Sequence, residues 1–429
     1  MGADGGHGDD GAAGMDPDVR RAIPANTRRL VAAQGLQSAG DQVVDAKTVL
    51  PWLLHALGAP GFMLGLLVPI RESGSMLPQA ALTPWVRAQP RRKRVWLIGA
   101  LTQAAMAAVI ALAAAAATGP AAGALVLLGL AGFSLGRSLC SIGSKDIQGR
   151  VIPKGRRGRV SGVSTMVGGV AAITVGAAVR VLGGAGRLTE ADLEWLIGAA
   201  ALAWVAGAVI FARIAEPATA PEDPGAGPGW LRESVDLLRE DRPFRRFVVV
   251  RALLLVSALA PAFLVALAAR GGAGLGGLGT FLIASGAASI IGGRIAGRLS
   301  DRSSRRAMIL GAAAASAVIL AALALARLAP GAAGWALPAT YFLLALTHTE
   351  IRVARKTYVV DMATGDRRTA YVAVGNTAMG AILLLTGVIS GALAHIGVEW
   401  ALLLLAAMGL AGVAAARALP EVSRPGAGG

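Results

Sequence analysis

Residues 91–144 read RRKRVWLIGALTQAAMAAVIALAAAAATGPAAGALVLLGLAGFSLGRSLCSIGS. Four cations, Arg91, Arg92, Lys93 and Arg94, precede an uncharged run over 95–117, a Thr118-Gly119-Pro120 break and a second apolar run over 121–144. Each run is about the 20 residues that a helix needs to cross a bilayer. Helix is the form such a run takes in hydrocarbon, where backbone groups find no partners outside the segment. The short break makes an antiparallel hairpin, so the stretch predicts two spans that leave and return to one basic side.

The same pattern extends outward over most of the chain. Hydrophobic residues make up 55% of the 429 and charged residues 15%, with mean hydropathy +0.61; a soluble chain carries about 25% charge. The short alternating segments of a lipid-spanning β-barrel are not found. The prediction is an all-α membrane protein of twelve transmembrane helices, near 30–57, 60–86, 95–117, 121–144, 160–183, 193–213, 246–269, 274–297, 307–328, 333–355, 371–394 and 398–418. Residues 1–27, rich in Gly, Asp and Ala, read as a disordered tail. Their acidic character is not that of a signal peptide. Residues 28–214 form a first six-helix half, 215–245 a linker, 246–420 a second half and 421–429 a tail.

The loops sort by charge. Loop 2–3 holds Arg87 and the Arg91–Arg94 cluster, and loop 4–5 holds Arg150, Lys154, Arg156, Arg157 and Arg159. Loop 8–9 holds Arg298, Arg302, Arg305 and Arg306, and loop 10–11 holds Arg355, Lys356, Arg367 and Arg368. Alternate loops, such as Gly58-Ala59-Pro60-Gly61 and Pro330-Gly331-Ala332, carry few cations. Positive loops stay cytoplasmic, which puts both termini inside the cytoplasmic (inner) membrane. Loop 5–6, with Arg187 beside Glu190, Asp192 and Glu194, is not net positive. The formal charge of +16 is therefore a topology signal, scattered over loops; a nucleic-acid footprint would form one stripe or patch.

The linker opens on Glu216-Pro217 and then carries Trp230, Leu231, Val235, Leu237 and Leu238 among Arg and Glu, the spacing of a short amphipathic helix. The two halves repeat. Lys145, Arg156, Arg157 and Gly169 recur as Lys356, Arg367, Arg368 and Gly380 at an offset of 211, and Arg94 and Gly99 recur as Arg306 and Gly311 at 212. A parallel repeat of six spans plus six, joined by a long cytoplasmic loop, is a transporter architecture with its ligand site between the halves.

With this repeat, this linker and the loop 8–9 sequence Gly297-Arg298-Leu299-Ser300-Asp301-Arg302-Ser303-Ser304-Arg305-Arg306, residues 28–420 resemble the major facilitator superfamily. The family's signature is a Gly, an acid–base pair and a basic cluster, normally in loop 2–3 with a weaker copy in loop 8–9. Here loop 2–3 carries no acid. The resemblance implies a gating role for Asp301, Arg302, Arg305 and Arg306; a solvated basic loop that only sets topology is the alternative. Span 5 lacks the Gly-Pro pair of the drug–proton antiporters, and the sugar-porter run after span 6 is reduced to Glu216-Pro217.

Ionisable groups inside spans are costly and mark function. Span 1 carries Asp41 and Asp45 on one helical face, with Lys47 on roughly the other. Span 2 carries Arg71 and Glu72, with Glu72, Ser75 and Gln79 on one stripe. Spans 1 and 2 pack as neighbours, so these charges form a cluster in which Arg71 neutralises one carboxylate and a surplus one binds protons reversibly. A fixed ion pair bracing the two helices is the alternative. Arg137 in span 4 and His348, Glu350 and Arg352 in span 10 complete the candidates. An Arg137 or Arg352 facing the cavity would favour an anionic solute; an interface pair or a snorkelling side chain is the other reading.

The expected function is a secondary transporter of a small solute, coupled to protons, working as a monomer in the lipid bilayer without cofactor or metal. One cysteine, Cys140, and four scattered histidines give no metal-ligand spacing. No P-loop is present. Nor is there a nucleophile–base pair at recognisable spacing, so the reading is not an enzyme. A non-transporting protein of the same fold, acting as assembly factor or sensor, is the rival.

Overall fold

The computed structural model describes residues 17–152, 157–187, 189, 192–216, 230–271, 274–362 and 367–422. Among them the regular elements are helices: α1 (Pro17–Val43), α2 (Val49–Ala56), α3 (Leu64–Met76), α4 (Pro78–Arg87), α5 (Lys93–Ala116), α6 (Gly119–Val151), α7 (Arg157–Gly184) and α8 (Leu193–Ala212). After α9 (Trp230–Glu240) come α10 (Arg242–Leu253), α11 (Val256–Arg270), α12 (Leu275–Arg302), α13 (Ser304–Leu328), α14 (Ala333–Met362), α15 (Arg367–Ile396) and α16 (Val398–Arg417).

The opening hairpin forms as its sequence requires. Gly119 sits at φ +64°, a conformation that side chains resist. Pro120 follows in the first turn of α6, where its missing N–H costs nothing. The pair closes on glycine. A Cβ at Gly99 would lie 2.5 Å from the Gly136 carbonyl and 2.8 Å from the Cys140 backbone nitrogen. One repeat later, a Cβ at Gly311 would meet Ile351 at 2.7 Å, with the Thr347 carbonyl at 3.7 Å. The same contact thus recurs between α13 and α14, and small residues are what let such helices approach.

Nine helices among the described residues are long and apolar enough to cross a membrane. The three remaining predicted spans, 30–57, 60–86 and 333–355, carry the candidate in-span charges other than Arg137. Span 30–57 is broken between Val43 and Val49, and span 60–86 at Leu77, while α14 is continuous. Leu112, Leu128, Leu202 and Leu385 are all more than 60% exposed, as lipid-facing side chains are. Trp195, Trp335 and Trp400 stand exposed at the starts of α8, α14 and α16, an aromatic belt at the glycine-loop end of the bundle. The chain is a multi-pass helical membrane protein.

Several predicted boundaries move. Residues 17–27 belong to α1 instead of the loose tail. Val19, Ile23 and Asn26 are buried, and the Asn26 amide bonds both the carbonyl and the N–H of Ala215 at 3.0 Å. Residues 1–16 lie outside the described residues. Helices α6, α12 and α14 run past their predicted spans to Val151, Arg302 and Met362, because Arg and Lys sustain helix in water as well as apolar residues do in lipid. Loop 8–9 shrinks to Ser303, whose hydroxyl caps α13 by accepting from the Arg306 N–H at 3.1 Å. In the linker, α9 lays Leu237 and Leu238 against a core that includes Phe244, Phe247 and Tyr358. The side chains of Trp230 and Leu231 lie outside the described residues.

The glycine-loop end is sealed. Trp52, Leu53, Leu54 and Leu67 share one core with Phe263 and Leu264 of α11. Helices α3 and α15 meet through Gly65, Gly387 and Gly391, with a Gly65 Cβ only 2.3 Å from the Gly391 Cα. Nearer the basic loops the helices part around a cavity.

Candidate functional site

The cavity measures about 740 Å³, and its wall runs from Asp41 and Asp45 down to Lys145, Arg355 and Val359. Two helix interruptions shape it. The first is the break after α1. There Asp45 Oδ1 accepts from the Lys47 N–H at 2.8 Å and the Thr48 hydroxyl at 3.1 Å, replacing partners the helix no longer supplies. The second is at Leu254–Leu255, between α10 and α11.

Asp41 is held by two guanidinium groups. Arg71 reaches its Oδ1 at 3.0 Å and Arg137 its Oδ2 at 3.2 Å. Gln103, buried behind them, donates to the same carboxylate at 3.4 Å and accepts from Gln37 at 2.8 Å. Arg71 also lies over the Phe133 ring, 4.8 Å from its centroid, and that ring rests edge-on against Trp204. The arrangement fixes three helices, α1, α3 and α6, around one carboxylate.

Lys47 does not face away from this cluster. Its Nζ is 3.6 Å from Glu72 Oε1 and 3.4 Å from His348 Nε2. Helical phase cannot be carried across the break at Val44, so counting along a continuous helix sends Lys47 to the wrong side. An ammonium group only donates, so His348 Nε2 accepts and its Nδ1–H is left to donate to Ser257 Oγ, 3.3 Å away. Glu72, Lys47, His348 and Ser257 therefore form one polar chain from α3, across the α1–α2 break, to α14 and α11.

Gln79 and Ser75 share the cavity wall with Glu72, and Gln79 donates to the Ser75 carbonyl at 2.7 Å. Glu350 is not on this wall. It points away from His348 on α14, and its Oε1 is buried without a hydrogen-bond partner among the described residues. One surplus carboxylate opposed by Arg71 alone is not what the cavity holds: Asp41, Asp45 and Glu72 all have partners.

The excess is of the opposite sign. Seven cations, Lys47, Arg71, Arg137, Lys145, Arg251, Arg352 and Arg355, share the wall with three carboxylates, a formal surplus of four positive charges. Arg251 and Arg355 are the residues that sequence reading missed. Arg355 counts there as a loop cation, yet His348, Arg352 and Arg355 are spaced i, i+4, i+7 and so share one helical face. Arg251 lies a few residues inside predicted span 7 and is held by the Asn376 side chain at 2.9 Å.

The basic loops are tied down within their own repeats. Arg92, 3% exposed, pairs with Asp146 at 3.1 Å, and Glu216 accepts from the N–H groups of Arg92 and Lys93 at 2.7 and 3.1 Å. Arg305 pairs with Glu421 at 3.7 Å, and Ser303 donates to the same carboxylate. A glutamate after the last helix of each repeat thus closes on the start of its third. Arg306 is exposed; the side chains of Asp301 and Arg302 lie outside the described residues.

Against solved structures, the chain matches a mutant of the nucleoside transporter NupG with a TM-score of 0.72 at 13% identity, over 92% of this chain and 99% of that one. It matches the inward-open xylose transporter XylE from E. coli with a TM-score of 0.67 at 12% identity, over 93% and 97%. The peptide transporter POT in complex with sulfate gives 0.65 at 13% identity, over 90% and 94%. No family model matches the chain, and no curated protein matches it in sequence. At these identities the likeness is one of fold, the fold these solved transporters share.

Proposed function

We propose that this protein is a secondary active transporter that carries a small polar solute across the cytoplasmic membrane by alternating access. The observation that carries the reading is the charged cavity, enclosed by helices whose outer faces are apolar. A site of about 740 Å³ is large enough for a solute of many atoms, and a membrane protein keeps such uncompensated charge inside only where it is used. The rival reading, an assembly factor or sensor, calls for a dry and fully paired cluster. The excess of cations argues against it.

In this reading twelve spans form two six-helix halves, 28–214 and 246–420, working as a monomer with both termini inside. The basic loops are then cytoplasmic, and the sealed glycine-loop end with its opening opposite is an inward-facing state. Transport needs the reverse state too, in which α3 and α15 part and the basic ends close. We assign that closure to Asp301 and Arg302 at the end of α12 and Arg305 and Arg306 at the start of α13. Solved transporters of this fold carry nucleosides, xylose with protons, and peptides, which supports a small polar solute and a proton as its partner.

Within the cluster we assign different roles. Asp41, held by Arg71 and Arg137, braces α1, α3 and α6. Asp45 caps the α1–α2 break. Glu72 is the coupling carboxylate. Its side chain is 34% exposed to the cavity, where protons reach it. Protonation cancels the charge that holds Lys47 and lets the Lys47–His348 contact between the halves rearrange, so proton binding is linked to conformation. The test is uptake into proteoliposomes with and without an imposed pH gradient. Glu72→Gln should keep solute exchange and lose gradient-driven accumulation. Accumulation at the wild-type level in Glu72→Gln, with Asp41→Asn and Asp45→Asn equally unaffected, would leave all three as braces and end the proton-coupling reading.

A further inference from the structure

We infer that the cavity binds a small dianion, and that Arg355 and Arg251 grip its carboxylate, phosphate or sulfate group, with Arg352 and Lys145 supplying further charge. The inference rests on the transporter reading and names its cargo. The protein's own carboxylates on this wall are already engaged. Asp41 is taken by Arg71 and Arg137, Glu72 by Lys47, and Asp45 by the Lys47 amide and the Thr48 hydroxyl. The four remaining cations are Arg251 on α10, Arg352 and Arg355 on α14, and Lys145 on α6.

Two atoms there point to an anionic ligand. The Nε groups of Arg251 and Arg355 are buried and have no hydrogen-bond partner among the described residues. A buried N–H left without an acceptor is costly, and more so when charged. Arg355 also lies within electrostatic reach of Arg251 and Arg352, and the acid that reaches it, Glu72, is already paired with Lys47. A planar guanidinium presents Nε–H and Nη–H side by side and matches an oxyanion with two bonds. Arg251 is pre-positioned for this: its Nη2 is fixed on Asn376 at 2.9 Å, and its Nη1 lies 3.1 Å from where a Gly375 Cβ would stand. A lone chloride would not fill a cavity of about 740 Å³, which accommodates an organic dianion.

The test uses the purified full chain in detergent and follows thermal unfolding against sodium succinate, sodium phosphate, sodium chloride at matched ionic strength, and uncharged glucose. Succinate or phosphate should stabilise saturably, glucose should not, and chloride should act only as salt. Arg355→Gln and Arg251→Gln should each raise the half-saturating concentration about tenfold or more, since each removes a charge-assisted pair. Arg355→Lys should recover part of the affinity, and Arg239→Gln on the exposed face of α9 should change nothing. If Arg355→Gln does not fold, Arg251→Gln and Arg352→Gln carry the test. The site is overturned if neither dianion exceeds chloride, or if the midpoint is unchanged in the Arg variants. Saturable binding without uptake into proteoliposomes would keep the anion site and remove the transporter reading. Uptake of an uncharged solute unaffected by Arg355→Gln would do the reverse.

Discussion

Gly65→Ala tests whether the sealed glycine-loop end is one of two alternative states. The new Cβ would lie 2.3 Å from the Gly391 Cα, 2.4 Å from its nitrogen and 2.6 Å from the Gly387 carbonyl oxygen. All three are backbone atoms, so no rotamer change relieves the clash, and α3 and α15 must separate. Overpacking of this kind costs about 1–3 kcal/mol, and rigid backbone on both sides puts the value near the top, about 3 kcal/mol. That penalty falls on the closed glycine end and is absent once the two helices part. The balance should then move about 100-fold toward the state open at that end. Gly198→Ala is the control, because its Cβ would find only Ala111, at 3.8 Å; it should stabilise helix α8 slightly. The assay places one cysteine at Leu264, buried in the seal, in a Cys140→Ala background. Labelling by a membrane-impermeant thiol reagent should be slow in the parent, fast with Gly65→Ala and slow with Gly198→Ala. A lower melting temperature in Gly65→Ala with labelling as slow as the parent would refute the argument: the contact would then be plain packing.

The other expectations are more local. Asp41→Asn leaves Arg71 and Arg137 facing each other without an anion; the side chains are partly wetted, so the loss should be about 2 kcal/mol instead of the full buried-pair penalty, and adding Arg137→Gln should restore part of the melting temperature. Glu216→Gln removes the charge that accepts from two N–H groups at the start of α5, and thermal unfolding should register about 1 kcal/mol. Asp146→Asn strips the acid from buried Arg92 and should cost more than Glu216→Gln in the same measurement. Reporters fused after Arg94, Arg157 or Arg306 should read cytoplasm and those after Gly119 or Gly331 the outside; any exchange between the groups would dismiss the twelve-span topology.

By itself the sequence determined that this is a helical membrane protein with an internal repeat. Both are properties of local composition: an apolar run of about 20 residues has one stable form in lipid, and the offset that relates Gly99 to Gly311 also relates the packing around them. It marked Asp41, Glu72, Arg137 and His348 as candidates, and all four line the cavity, because charge within a span is rare enough to be informative from type and depth alone. It could not settle which charges meet. Lys47 required the break after Val43, and that break depends on Asp45 and Thr48 closing the turn within a packed bundle. Arg355 looked like one more loop cation until α14 was seen to continue through it onto the cavity wall. Glu350, two residues and so about half a turn from His348, fell on the opposite face. Partnering, and with it the sign of the cavity's net charge, is set by how separate helices turn toward one another. No stretch of chain encodes that alone, since each pair joins side chains from different helices.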